Sequence, residues 1–308
     1  MHLNPLKSKV IARLEFRADS PIHVGVGGDE VRRSLLRLPT GEFIIPASTW
    51  KGNFRRITEE LAGSSKYEGI TELAVKLYHE GRGGISYRGR NEEGKRVFEE
   101  FAVEEFASAL RGQPSSRSRI RESREELREL LRGLGYEDWE IEEAELGRGL
   151  VRGMAENYIA LHCPVGRLYG NRVMAGKLRF TDTIIELERV HQRAGVGIDR
   201  RSGRVEEGVL YFIEAIPRGV GLRLTIIADN LHPGEEDSRL FAETLRAIET
   251  LGLSIGGRKS AGLGHLKLDG GEFHILELEG DRDKLAIGNP LRKTDKMGLR
   301  EFIEYLES

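Results

Sequence analysis

The sequence predicts an α+β fold: a sheet with helices on one face, interrupted by a block of helices. Three observations predict it. Apolar and polar residues alternate in stretches near both ends of the chain, as half-buried strands require. Two amphipathic helical stretches fall between those strands, and a long central segment has helical spacing joined by polar, glycine-rich linkers. At 308 residues, with 39% hydrophobic side chains, the chain holds enough apolar material for one large domain or two modest ones.

Residues 10–18 (VIARLEFRA) alternate apolar and polar side chains from Ala12 onward and form the first strand. Residues 21–28, with glycines at 25, 27 and 28, form a loop. A short strand at 42–45 leads to Pro46, and Ser48 is placed to cap a helix in which Trp50, Phe54, Ile57 and Leu61 recur at helical spacing. Residues 63–65 end that helix. Helical stretches follow at 70–79, 95–110, 121–134 and 139–154, the last taking in Gly147-Arg148-Gly149. The linkers at 81–94 and 111–118 are polar, so residues 66–155 form a helical insertion. Strands return at 177–187, 209–216 and 222–228, the last two joined as a hairpin by the turn at 217–221. Residues 188–208 are too polar for a core. A helix at 237–251 carries Leu240, Phe241, Leu245, Ile248 and Leu251 on one face. A glycine-punctuated loop at 253–264 precedes short strands at 265–268 and 273–278, and residues 297–306 form a final helix. With the insertion removed, the order is βαββαβ, that of a ferredoxin-like or RNA-recognition-like sheet. The core is then discontinuous, at 1–65 and 165–280, with a C-terminal segment at 281–308.

Charge narrows the function classes. The 48 basic and 50 acidic side chains nearly cancel, to a net charge of -2, but their distribution is uneven. Arg32, Arg33, Arg37, Lys51, Arg55 and Arg56 face only Glu42 within residues 31–56, and Arg258, Lys259 and Lys267 meet no acid within 253–268. The segment 137–145 holds six acids and no base. Two basic loops in a near-neutral chain suit a focused anion site rather than general coating of nucleic acid. No segment approaches about 18 uncharged apolar residues, and the N-terminal residues lack a signal-peptide core. The sequence therefore predicts a soluble cytoplasmic protein without membrane contact. A single cysteine, Cys163, excludes an intrachain disulfide framework and a four-cysteine zinc site. Arginine outnumbers lysine 36 to 12, a balance compatible with a thermophilic source.

Several familiar motifs fail. The residues Gly25-Val26-Gly27 lack the third glycine of a dinucleotide fingerprint, because position 30 is glutamate. In Gly256-Gly257-Arg258-Lys259-Ser260 an arginine intrudes where a phosphate loop runs straight from glycine to lysine. There is no Gly-x-Ser-x-Gly elbow, and Cys163 has no nucleophile's partners. The pair His162 and Cys163 is two ligands short of a structural zinc site.

What remains is a set of segments in order: PIHVGVGG at 21–28, IPASTWKGNFR at 45–55, LYG at 168–170, AGKLRFTD at 175–182, VGIDR at 196–200 and IGGRKSAGLG at 255–264. Elementary chemistry already assigns two of them to anions. Glycines at 256, 257, 262 and 264 let backbone amides approach phosphates, while Arg258, Lys259 and Ser260 supply charge and a donor. Lys51 and Arg55, four residues apart, share one helix face beside Ser48, Thr49 and Arg56. Together the six segments resemble the RAMP superfamily of CRISPR-associated proteins, above all the backbone subunits of type III (Csm or Cmr) RNA-guided effector complexes.

The resemblance implies a guide-RNA-binding subunit that stacks along the guide, assembles with other effector subunits and positions complementary target RNA. It implies that 188–208 is a β-hairpin thumb, with Val196, Ile198 and Arg200 wedged against the guide–target duplex; His23 either stacks on an RNA base or packs at the strand end. In cleaving members an acidic residue before the Ile-Pro helix cuts the target with a divalent metal, here Mg²⁺. Asp29 and Glu30 are the candidates, although the family spacing from Pro46 falls on Val31, so a cleaving and a binding-only subunit both fit. Asp182 and Asp199 suit structural capping instead. Two further readings stay open. A stand-alone RAMP endoribonuclease that processes CRISPR repeat RNA would use His23 as its general acid–base group, with His265 next. A protein with no RNA role would dock a partner through its acidic helical block.

Overall fold

Strand β1 (Ser8–Ala18) buries Val10, Ala12, Leu14, Phe16 and Ala18 and exposes Arg13, Glu15 and Arg17 between them, the pattern of a sheet packed on one face. After it come β2 (Arg32–Arg33), β3 (Phe43–Ile45) and helix α1 (Ala47–Ser64). Helices follow: α2 (Gly69–Tyr78), α3 (Glu92–Glu100), a π-helical stretch at Phe101–Phe106, α4 (Ala107–Leu110), α5 (Arg124–Gly133), α6 (Asp138–Glu145), α7 (Val151–Leu161) and α8 (Pro164–Tyr169). Strands β4 (Leu178–Phe180), β5 (Thr183–Ile185), β6 (His191–Ile198), β7 (Val205–Ala215) and β8 (Gly221–Asp229) lead to helix α9 (Glu236–Leu251). The chain ends with β9 (Leu253–Ser254), β10 (His265–Glu277), β11 (Asp295–Gly298) and α10 (Leu299–Glu307). These elements are those of a computed structural model that describes residues 6–25, 32–78, 91–198, 201, 204–277 and 294–308. The chain divides into two compact units, one of Met1–Leu6, Ile57–Lys177 and Glu235–Phe241, the other of Lys7–Arg56, Leu178–Gly234 and Ala242–Ser308.

The second unit is a mixed α/β structure on an antiparallel sheet of order β11-β10-β1-β8-β4, with β9 pairing on β10. Two smaller sheets, β2-β7-β6 and β3-β5, accompany it. The first turns of α1 lie on the buried face: Trp50 sits 5.2 Å from Phe16 between ring centroids, and Phe54 contacts Phe16 and Phe180. Phe302 of α10 stacks on Phe273 of β10 at 4.0 Å.

Several local expectations are corrected here. The 177–187 stretch is two strands in two sheets, because the chain turns at Thr181-Asp182, where Asp182 accepts a hydrogen bond from the backbone N–H of Ala47 at 2.6 Å. Ser48 is therefore not the cap of α1, which starts at Ala47, two residues before the start that a cap at Ser48 implies. β7 and β8 do not form a hairpin: β7 pairs with β6 and β2, whereas β8 lies between β1 and β4. The burial pattern shows why. Ile213, Glu214, Ala215 and Ile216 are buried in succession, as an enclosed strand end requires, while β8 alternates. The two short strands after the glycine loop are one strand, β10, with a bulge opposite Glu15 and Phe16. Asp269 is the extra residue, and its carboxylate takes Arg17 at 2.8 Å.

In the helical unit, the helix expected over 139–154 breaks into α6 and α7. Gly147 (φ +72) and Gly149 (φ +60) lie in the left-handed region, outside either helix. The helices also run past 155, to Tyr169. Ser123 and Glu126 form a capping box at the start of α5. Arg128, little exposed, meets the equally buried Glu145 at 2.6 Å. No helix among the described residues is long and apolar enough to cross a membrane.

One buried network in this unit makes it acid-sensitive. Tyr158 donates to Glu122 at 2.6 Å, and His162 Nε2 lies 3.5 Å from the same carboxylate. The His162 contact is the largest influence on Glu122. Burial opposes it, the Tyr158 hydroxyl reinforces it, and the carboxyl is held at about 2. Burial meanwhile pushes the Tyr158 phenol up. A carboxylate whose folded value is depressed stabilises the fold above its unfolded value, and that stability is lost as pH falls through the folded one. Glu122→Gln is therefore expected to flatten the acid-unfolding curve, followed by far-UV circular dichroism, from pH 4.5 down to about 2. An unchanged curve would show that the network contributes nothing.

Candidate nucleic-acid interface

The glycine loop between β9 and β10 is shaped by backbone closure. Ile255 N–H donates to Gly264 O and Gly264 N–H donates to Pro21 O, both at 2.8 Å, while Gly257 N–H donates to His23 O at 2.8 Å. Gly256 (φ +75) passes so close to residue 23 that a Cβ there would lie 2.2 Å from His23 O, and one at Gly264 (φ +87) would lie 2.0 Å from Ile255 O. Only glycine fits either position. The loop is thus pinned onto the segment that follows β1, joining two of the six motifs. His23 is 8% exposed, and its Nδ1 lies 2.7 Å from the carbonyl oxygen of Glu214. Glu214 is itself buried and takes Leu35 N–H and Arg37 through Oε2.

Cations gather on this framework. Lys259 donates from Nζ to Asn53 Oδ1 at 2.5 Å, which brings the loop to the start of α1, 206 residues away in sequence. Burial, and then the charge of Arg56, push the Lys259 ammonium below its ordinary value. Two like charges held together in a partly desolvated place favour an anion between them. Asn53 is itself fixed by its bond to Thr49 O at 2.7 Å. Lys51 and Arg55 are half-buried on the same helix, whereas Ser48 and Arg56 are exposed. Arg258 takes the left-handed conformation (φ +58) and donates to the Tyr211 hydroxyl at 2.9 Å. Arg193 on β6 donates to Ala261 O at 3.1 Å, which ties the loop to the strand pair β6–β7. On that pair Val196 is 44% exposed and Phe212 39%.

In the loop, Gly257, Ser260 and Gly262 are exposed, Gly256, Arg258 and Lys259 are half-buried and Gly264 is buried. Asp29, Glu30 and Arg200 lie outside the described residues, as does the side chain of Ile198. Among the described residues no three His, Cys, Asp or Glu side chains gather as metal ligands. His162 Nδ1 lies 2.9 Å from Tyr158 O, and the Cys163 sulfur accepts from Gly166 N–H at 3.3 Å. His265 opens β10 with its ring against Gly252. Sequence reasoning missed Asn53, Arg193 and Tyr211. Only Gly195, a glycine inside a strand, signals that a side chain crosses there.

No curated protein matches this sequence. The sequence model of the RAMP superfamily matches residues 15–267, a span that runs from β1 through the glycine loop into β10. With more than three quarters of its length inside that match, the chain belongs to the RAMP superfamily.

Proposed function

We propose that this protein is a guide-RNA-binding backbone subunit of a type III CRISPR interference complex, working in the cytoplasm. In this reading copies lie head to tail along the guide beside other effector subunits and hold complementary RNA for interference. Membership in the RAMP superfamily supports a CRISPR-related role in RNA binding. The observation that carries the reading is the pairing of Lys259 with Asn53 beside Arg56, because it turns two separate basic motifs into one cationic site. Such contacts position RNA through its phosphates without reading sequence, and base pairing supplies the specificity. The order β10-β1-β8-β4, with α1 and α9 in the connections, supports a ferredoxin-like core. The antiparallel β6–β7 pair, with Val196 exposed, supports a thumb over 188–208. The helices of 66–155 are then an insertion in an RNA-binding core, and His23 acts from beneath the loop by fixing its path.

The test is equilibrium binding of the purified chain to labelled single-stranded guide RNA across a salt series. Lys259→Gln is expected to weaken binding equally for all sequences and to lower the slope of log affinity against log salt by about 0.7, one phosphate contact. Wild-type protein with no affinity for RNA alone or with partner subunits would end this reading. Adding complementary RNA and Mg²⁺ asks the catalytic question: target fragments that vanish in Asp29→Ala would make the subunit a nuclease. Cleavage of repeat RNA by the chain alone would favour the processing enzyme.

A further inference from the structure

Tyr211 on β7 is the Cα partner of Gly195 on β6. A Cβ at Gly195 would fall 2.4 Å from ring carbons Cε2 and Cζ of Tyr211 and 2.6 Å from its hydroxyl oxygen, so the ring rests directly on the glycine. The same ring serves two cations. The Arg258 guanidinium carbon lies 4.7 Å from the ring centroid and that of Arg33 lies 5.6 Å from it. Arg258 is further fixed by its bond to the Tyr211 hydroxyl, at 2.9 Å. Arg193, two residues before Gly195, adds a third guanidinium against the loop at Ala261. Among the described residues, Arg33, Arg193 and Arg258 form no ion pair.

Other arginines of the described residues meet carboxylates: Arg17 meets Asp269, Arg128 meets Glu145 and Arg179 meets Asp229. An aromatic ring orients a guanidinium by cation–π attraction and leaves its charge unneutralised. The N–H groups of Arg258 that do not hold the Tyr211 hydroxyl, and the Nη groups of Arg33, then remain for an anion such as a phosphodiester.

We propose that Tyr211 is a positioning residue for RNA: seated on Gly195, it sets Arg33 and Arg258 as a pair of guanidinium forks that grip the phosphodiester backbone. This rests on the RNA-binding reading above. The ring touches the arginines rather than the RNA, so its effect passes through them. Gly195 is required because any side chain there would lift the ring and release both arginines.

Fluorescence anisotropy of the full chain with a fluorescein-labelled, unstructured single-stranded RNA, over a sodium chloride series, tests the proposal. Arg33→Gln and Arg258→Gln are each expected to lower the salt slope by about 0.7. Tyr211→Leu is expected to lower it as much as Arg258→Gln, and the double variant Tyr211→Leu/Arg258→Gln to bind no more weakly than the worse single variant. Tyr211→Phe, which keeps the ring and loses one hydrogen bond, is expected to keep the slope with about a twofold loss of affinity. Should Tyr211→Leu fail to fold, Gly195→Ala replaces it and must lower the slope in the same way. A slope unchanged in Tyr211→Leu or Gly195→Ala, but lowered in Arg258→Gln, would overturn the positioning role and leave the RNA reading standing. Wild-type protein that binds no RNA would remove both.

Discussion

Alanine at Gly256 is expected to lower the stability of the second unit by about 2–5 kcal/mol and to abolish binding at the glycine loop. Two costs add. The residue sits at φ +75, where an L side chain costs about 1–2 kcal/mol. Its Cβ would also lie 2.2 Å from His23 O, a backbone atom that cannot rotate away. The loop and the segment after β1 must separate, which breaks the Gly257 N–H to His23 O bond and strands a buried carbonyl, for about 1–3 kcal/mol more. Gly262→Ala is the control. It has the same left-handed backbone (φ +80) but nothing within 4 Å of the added methyl, so only the conformational cost of about 1 kcal/mol applies. Urea midpoints and RNA affinity measured for both variants check this. Equal losses in the two would show that the close approach to His23 does not matter.

The same distinction explains how much of this molecule was legible in its sequence. The glycine loop was legible because its chemistry is backbone chemistry: a run of glycines beside two cations announces close approach before any partner is known. β1 was legible because one of its faces is buried and the other wet. The limits of reading appear in α1. Helical spacing pointed to Trp50, Phe54, Ile57 and Leu61, whereas the buried row is Trp50, Phe54, Thr58 and Ala62. A hydroxyl and a methyl carry no hydrophobic signal, and Thr58 is tolerated inside because it shares a hydrogen bond with Tyr169 at 2.7 Å. The broken helix at 147–149 and the bulge at Asp269 were hidden for a related reason. Each is a change of backbone direction that local spacing does not encode. The Lys259–Asn53 contact and the seat of Tyr211 on Gly195 depend on which strands pair, and pairing partners in a non-consecutive sheet are chosen by the whole fold. The division of 177–187 between two sheets likewise follows from Asp182 binding the start of a helix 135 residues away.

Trp50→Ala is expected to cost the second unit about 3–5 kcal/mol, the range for emptying a fully buried tryptophan site. Trp50 is 0% exposed and fills the space between the sheet and α1, against Phe16. Its indole N–H is satisfied by Thr183 Oγ1 at 3.1 Å, and that hydroxyl in turn donates to Arg223 O at 2.8 Å. Removing the indole leaves the threonine with its own donor bond intact, so the loss is one of packing, not of stranded polarity. Thr183→Val removes the acceptor instead and keeps the ring, with an expected cost of about 1–3 kcal/mol from a buried N–H without a partner. At roughly 2–4 °C per kcal/mol for a unit of this size, the tryptophan variant should melt on the order of 10 °C lower. The chain supplies its own reporter. It has two tryptophans, and Trp139 in the helical unit is 65% exposed. In a Trp139→Phe background, blue-shifted emission from Trp50 follows the second unit alone in otherwise wild-type protein and in Thr183→Val, while the melting of Trp50→Ala is followed by far-UV circular dichroism. A wild-type Trp50 emission already red-shifted to that of solvated indole would contradict its burial, and with it the packing of α1 on the sheet. A variant Trp50→Ala that melts within a degree of wild type would mean that the site collapses around the missing ring.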